Sequence, residues 1–249
     1  MILSLTKLAA FAAASAAMPR ESCGLVVITN GQERYWPCEN IAPDESDFAI
    51  SPVDYLSATQ AGKITGIIHS HPNGFPTPTP ADLASCEKWG IPWHIVSPQL
   101  DPPHGRWHSF EPTGFKAPLL GREWVWGIHD CWSLVRDWYG ENGIALQDFD
   151  RPLDPDQFLK APLFESLFPE AGFYEVSRDQ ARPGDAVLMA LRSKGLNHVG
   201  VLDKSYRLLH HVQGRLSSLD LYGDGLQKAT GKVVRHVDCD RLKVIQCGP

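Results

Sequence analysis

Proline density between residues 98 and 118 divides this chain. Pro98, Pro102, Pro103, Pro112 and Pro118 fall there among glycine and polar residues. Proline fixes φ and offers no N–H, so neither a helix interior nor a central strand runs through such a stretch. Hydrophobic patterning stops at this segment and starts again beyond it, which marks a domain boundary. The expected division is a first domain over 1–111, a linker over 112–121 and a second domain over 122–249. A length of 249 residues accommodates two domains of ordinary size.

The first half alternates short apolar runs with helical segments, a mixed α/β pattern. Leu25–Ile28 and Ile64–His69 read as buried strands, and His94–Ser97 and Trp107–Phe110 as further short strands. Pro52–Gly62 has proline at its start and glycine at its end, as helices do, and Ala81–Trp89 reads as another helix. The opening LAAFAAASAA, Leu8–Ala17, has the apolar character of a signal core. Its only early charge is Lys7, directly beside it, whereas a signal carries positive charge ahead of its apolar core. Leu5, Leu8 and Ala12 fall at helical spacing, so the favoured expectation is a domain-opening helix packed through those residues. No stretch is apolar and long enough to span a membrane, and no stable membrane insertion is expected.

Composition narrows the partners. The net charge is -6 and lysine and arginine are scattered, so the electrostatic footprint of a nucleic-acid binder is missing. The six cysteines form no Cys-x-x-Cys pair, which removes zinc-ribbon and thioredoxin-like readings, and they are expected mostly reduced.

His69-Ser70-His71-Pro72 closes an apolar strand, and Asp82 opens the helix that follows. Residues i and i+2 of a strand face one side, so both imidazoles can reach one ion. A carboxylate from the next helix supplies a third ligand and leaves a fourth tetrahedral position open for water. A base must take a proton from that water. Glu21, ahead of the Leu25–Ile28 strand, is the leading candidate.

These residues resemble the JAMM (MPN-type) metallopeptidases. The likeness rests on Pro19-Arg20-Glu21-Ser22-Cys23-Gly24, on His69-Ser70-His71-Pro72 and on Thr79-Pro80-Ala81-Asp82, and it covers about 110 residues. It implies that His69, His71 and Asp82 hold zinc and that Glu21 activates the attacking water. The family usually has serine three residues before the aspartate, where it helps to stabilise the oxyanion. Thr79 stands there with a hydroxyl and an added methyl. Without the resemblance, two strand-end histidines and an aspartate helix cap would account for the same residues.

In the second half, Cys131 opens the helix Cys131–Gly140 directly after Asp130. Helix N-termini favour negative charge, so a thiolate is expected to gain stability there. A nucleophilic cysteine needs a histidine base and that base an orienting partner. Ala186–Met189, His198–Leu202 and Leu208–Val212 alternate with turn residues as antiparallel strands do. A hairpin through Asp203–Arg207 would bring His210 beside His198, with His211 on the opposite side of its strand. A buried structural cysteine and two unrelated histidines remain the plain alternative.

This half resembles the NlpC-type cell-wall cysteine peptidases through Asp130-Cys131-Trp132-Ser133-Leu134-Val135, Arg182-Pro183-Gly184-Asp185, His198-Val199-Gly200 and Leu208-Leu209-His210. The resemblance implies a papain-like α+β core, peptidoglycan stem peptides as substrate, Cys131 as nucleophile, His198 as base and His210 as its orienting partner. Family members often carry Ser-Gly after the cysteine, where this chain has Trp132 and Ser133. Trp124 and Trp126, just before the nucleophile, are expected to serve packing first and a groove second.

The whole is therefore expected to be a mixed α+β chain: a JAMM-type α/β zinc domain followed by a papain-like NlpC-type α+β domain. That fusion resembles the tail-tip assembly protein K family of lambda-like tailed phages. The resemblance implies a bifunctional peptidase that acts in tail assembly or cell-wall penetration, with other tail-tip proteins as partners. It also implies residence in the host cytoplasm during assembly, or at the virion tail tip. Two other readings stay open: a structural tail component with vestigial catalytic pockets, and a host cell-wall remodelling hydrolase.

Overall fold

The computed structural model describes residues 2–99, 105–151 and 163–242. Expectations that fall on 100–104, 152–162 and 243–249, His104 and Cys247 among them, lie outside the described residues. The chain divides into two compact units, Met1–Lys116 and Ala117–Pro249.

The first unit is built on a five-stranded sheet, ordered β2-β1-β3-β4-β5. Its strands are β1 (Cys23–Thr29), β2 (Gln32–Cys38), β3 (Lys63–Ser70), β4 (Trp93–Ser97) and β5 (Arg106–Phe110). The β3–β4 pair is parallel and the other pairs are antiparallel. A parallel pair needs a crossover, and α3 (Pro80–Trp89) supplies it. The other helices are α1 (Ser4–Ala17) and α2 (Pro52–Ala61). Period-two alternation sorts the β1 run onto both faces of the sheet. Val26 joins Ile68 and Val96 against α1, while Leu25, Val27 and Ile67 join Ala58, Cys86 and Trp93.

Helix α1 forms as expected but packs through a different face. Its buried residues are Thr6, Ala10 and Ala14, whereas Leu5 and Leu8 are 78% and 67% exposed and Ala12 is also exposed. Alanine at the contact lets the helix backbone approach the sheet closely, and the leucines are left outside. The strand β2 escaped the sequence reading because Gln32–Cys38 mixes charged, aromatic and proline residues instead of forming an apolar run.

The second unit carries a six-stranded antiparallel sheet, ordered β10-β9-β8-β7-β11-β6. These are β6 (Phe173–Val176), β7 (Ala186–Met189), β8 (His198–Leu202), β9 (Arg207–His210), β10 (Ser218–Leu221) and β11 (Thr230–His236). Helix α4 (Cys131–Glu141) packs Leu134, Val135 and Trp138 against Ala186, Leu188, Val199, Val201 and Leu209. Two helices, α5 (Leu163–Glu170) and α6 (Asp224–Ala229), complete the unit. The expected run Leu208–Val212 ends as a strand at His210. Strands β6, β10 and β11 were missed, since β6 and β10 are only four residues long.

Asp130 caps α4. Its carboxylate accepts from the Ser133 backbone N–H at 2.8 Å and forms a buried pair with Arg151 at 2.8 Å. The residues that open the helix are thereby held by charge-assisted hydrogen bonds.

Candidate metal and cysteine centres

The register of β1 against β3 builds the first site. Cys23 lies opposite His69, which brings the chain around Glu21 beside the end of β3. His69 is the next-to-last residue of β3 and His71 lies just beyond it, and the His71 N–H still donates to the Val96 carbonyl at 2.9 Å. Asp82 comes from the first turn of α3. One ligand atom from each of His69, His71 and Asp82 lies within 4.8 Å of the others. The two Nε2 atoms are 3.2 Å apart. Asp82 Oδ1 stands 3.2 Å from His69 Nε2, and Oδ2 stands 3.6 Å from His71 Nε2.

The surroundings orient these donors. His71 Nδ1 donates to the Phe75 carbonyl at 3.0 Å, which turns the Nε2 lone pair of a neutral ring into the site. The Phe48 ring stacks on His69 with centroids 4.6 Å apart. Two imidazole nitrogens and a carboxylate converging on one point form a donor set that fits a divalent metal ion. His69 Nδ1 is buried without a protein partner.

Electrostatics follow from that crowding. Burial opposes the charge on Asp82, but hydrogen bonds from His69 and His71 overcome it and hold the carboxyl well below its usual range. Burial pushes the Glu21 carboxyl up to about 8; His71 pulls against the rise and Asp82 adds to it. Glu21 thus feels two of the three cluster members, His71 and Asp82, and is itself buried. Thr79 caps α3. Its hydroxyl accepts from the Asp82 N–H at 3.1 Å, lies 2.8 Å from Asp82 Oδ2, and its own N–H donates to that oxygen at 2.8 Å. The capping reading of Thr79 and Asp82 and the ligand reading of Asp82 therefore hold together: the cap aims the carboxylate.

The second site lies along β8, β9 and β10. Gly200 sits opposite His210, so His198 and His210 are diagonal neighbours on one face. His198 Nε2 lies 3.1 Å from His210 Nδ1, and His210 Nε2 lies 3.1 Å from Asp220 Oδ2. Both rings are buried. His211 makes other contacts: Nε2 meets the Arg215 carbonyl and the ring meets Trp124 edge-on.

Cys131 opens α4 and is 4% exposed. The thiol packs in one core cluster with Val199, the residue next to His198. No hydrogen bond joins the thiol to the His198 ring among the described residues. The expected thiolate stabilisation is overridden. Burial pushes the Cys131 thiol up to about 12, with the neighbouring Asp130 charge adding to it. A buried anion beside a carboxylate costs more than a helix N-terminus returns. Burial likewise pulls His198 down to about 3, with His210 and His211 adding to the shift.

Asp220 was missed by the sequence reading. The signal was the alternation Ser218-Leu219-Asp220-Leu221, which puts Ser218 and Asp220 on one face of a short strand. Ser218 pairs with His210, so that face is the histidine face.

Comparisons with known proteins agree with this architecture. Residues 6–110 match the family described as prokaryotic homologs of the JAB domain, and residues 121–235 match the NlpC/P60 family. The tail tip assembly protein K of Escherichia phage N15 is 37% identical over 238 residues, covering 92% of this chain and 93% of that protein. The tail tip assembly protein K of Escherichia phage lambda is 32% identical over 188 residues, covering 75% and 89%. Among solved structures, a JAB1/MPN domain protein from Archaeoglobus fulgidus aligns at 21% identity over 43% of this chain and 84% of its own, with a TM-score of 0.29. An N-terminal JAB-type domain and a C-terminal NlpC/P60 domain, joined in one chain that matches the phage N15 protein over 92% of its length, place it in the tail tip assembly protein K family of lambda-like phages.

Proposed function

We propose that this chain is a hydrolase with two independent peptidase centres that serves phage tail-tip assembly, cell-wall penetration or both. The observation that carries the second centre is the run of His198, His210 and Asp220 at successive 3.1 Å contacts, on the sheet against which the helix opened by Cys131 packs.

In the second centre, Cys131 Sγ attacks the carbonyl carbon of a peptidoglycan stem peptide. His198 takes the thiol proton as the C–S bond forms and gives it to the leaving amine as the C–N bond breaks. Water then attacks the thioester; His198 accepts its proton and returns one to the departing sulfur. The high thiol pKa and the low His198 pKa keep the resting pair neutral. His210 orients His198.

In the first centre, His69, His71 and Asp82 would hold zinc, which as a Lewis acid polarises a carbonyl and acidifies water. Thr79 fixes the Asp82 carboxylate, and for the oxyanion role its position implies its hydroxyl would have to turn away from Asp82 Oδ2. Glu21 accepts the proton of the attacking water. The bond cleaved is a peptide or isopeptide bond. Other tail-tip proteins are the partners in assembly.

A second reading, a structural tail component with vestigial pockets, is favoured by the burial of Cys131 and by the missing thiol–imidazole bond. Digestion of purified muropeptides by wild type and Cys131→Ala, with mass analysis, separates the two. Stem-peptide fragments released by wild type alone support the peptidase; no release by either supports the structural role.

A further inference from the structure

The contact between His198 and His210 leaves one question of chemistry open. Two neutral imidazoles that meet through single nitrogens need one donor and one acceptor. Either His198 Nε2–H donates to His210 Nδ1, or His210 Nδ1–H donates to His198 Nε2. The two arrangements leave opposite nitrogens of His198 bare, and only a bare nitrogen facing outward from the pair can take a proton from the thiol.

Asp220 decides between them. Its carboxylate accepts and cannot donate when ionised, and His210 Nε2 lies 3.1 Å from Asp220 Oδ2. Arg215 Nη2 also donates to that oxygen, at 3.3 Å, which favours the ionised form. His210 Nε2 must therefore carry its proton. Being neutral, His210 then has a lone pair on Nδ1, and His198 Nε2, at 3.1 Å, must donate to it. His198 Nδ1 is left unprotonated.

We propose that Asp220 is a positioning residue that sets the tautomers of His210 and His198 in turn, so that His198 presents Nδ1 as the base. This rests on the reading of Cys131 and His198 as nucleophile and base, but the proton placement itself needs only the hydrogen-bond geometry and neutral rings. Burial lowers the pKa of His210, against the pull of Asp220, and burial also lowers that of His198, which keeps both rings neutral at ordinary pH. Asp220 is held below its usual range, chiefly because the His210 hydrogen bond overcomes partial burial. The strand β10 that carries Asp220 lies at the edge of the sheet, and the Asp220 side chain is about one-third exposed.

Long-range nitrogen-15 NMR of the histidine rings in the full chain tests this directly. Wild type should show protonated Nε2 and bare Nδ1 on both His198 and His210. Asp220→Leu should lose that state on both rings while keeping the wild-type unfolding midpoint to within a small shift, and Asp220→Glu, which retains an acceptor, should recover it. Alkylation of Cys131 by iodoacetamide, followed across pH, should slow by roughly 100-fold in Asp220→Leu, the scale of losing a positioned base. A bare Nε2 on His210 in wild type, or unchanged tautomers in Asp220→Leu, overturns the proposal. A thiol that is inert in wild type while the tautomers appear as stated overturns the peptidase reading and leaves the role of Asp220 in placing the protons supported.

Discussion

Gly200 faces His210 so closely that a Cβ on Gly200 would lie 2.9 Å from the His210 Cβ. The same added carbon would meet Leu208 Cγ at 2.9 Å. Neither is the far end of a flexible side chain, so the β8–β9 pair depends on glycine at this point. Gly200→Ala should cost about 1–3 kcal/mol as an overpacked site. It should also displace the His210 ring from His198. Chemical denaturation measures the first effect, and the histidine NMR signals report the second.

Thr79 joins helix stability to the candidate metal centre. Thr79→Ala removes the cap of α3 and should cost about 1 kcal/mol. It also frees the Asp82 carboxylate that the cap aims, and zinc affinity should fall by roughly 10- to 100-fold, as expected when a supporting hydrogen bond to a ligand is lost. Thr79→Ser should restore both. Competition titration with a zinc chelator, beside urea unfolding, checks the pair of outcomes. Equal zinc affinity in Thr79→Ala would separate the cap from the metal centre.

Arg151 is the counter-charge of a buried carboxylate. It contacts Asp130 at 2.8 and 3.1 Å and Ser133 Oγ at 3.1 Å. Arg151→Met leaves Asp130 uncompensated in the interior and should destabilise the second domain by about 3–5 kcal/mol. The double change with Asp130→Asn should cost less than the single one. Urea midpoints of the single and double variants decide it.

Acid should draw stability from both domains through one buried histidine in each. Burial holds His94, in the first unit, and His129, in the second, down to about 4. In the unfolded chain both titrate near 6.5. Between about 6.5 and about 4 the unfolded chain binds more protons, so stability present above that range is lost as pH falls through it. Each ring should contribute up to about 1.4 kcal/mol per pH unit there. His129→Leu should flatten the pH dependence of the second domain by one proton and leave that of the first unchanged, as read from unfolding free energies between pH 7.5 and 4.

Several parts of this molecule were legible in one dimension. The runs that became β1, β3, β4, β7 and β8 are apolar and bounded by turn residues. Helices α3 and α4 begin at a capping residue followed by the right periodicity. Spacing also joined His69, His71 and Asp82 as donors to one point. Helix α1 was legible as a helix but not in its orientation, because the contact prefers small Ala10 and Ala14 to larger leucines. That preference belongs to the sheet surface it meets.

The residue types and intervals of this chain alone determined two domains, a donor triad at the end of a strand and a cysteine at the head of a helix, because those features depend on local periodicity and capping. Tertiary structure alone decided that Asp220 stands behind His210, that Arg151 neutralises Asp130, and that the Cys131 thiol is driven toward its neutral form. Each depends on which distant side chains share a buried, low-dielectric space. Burial and pairing across strands are properties of the assembled sheet, and no spacing along the chain encodes them.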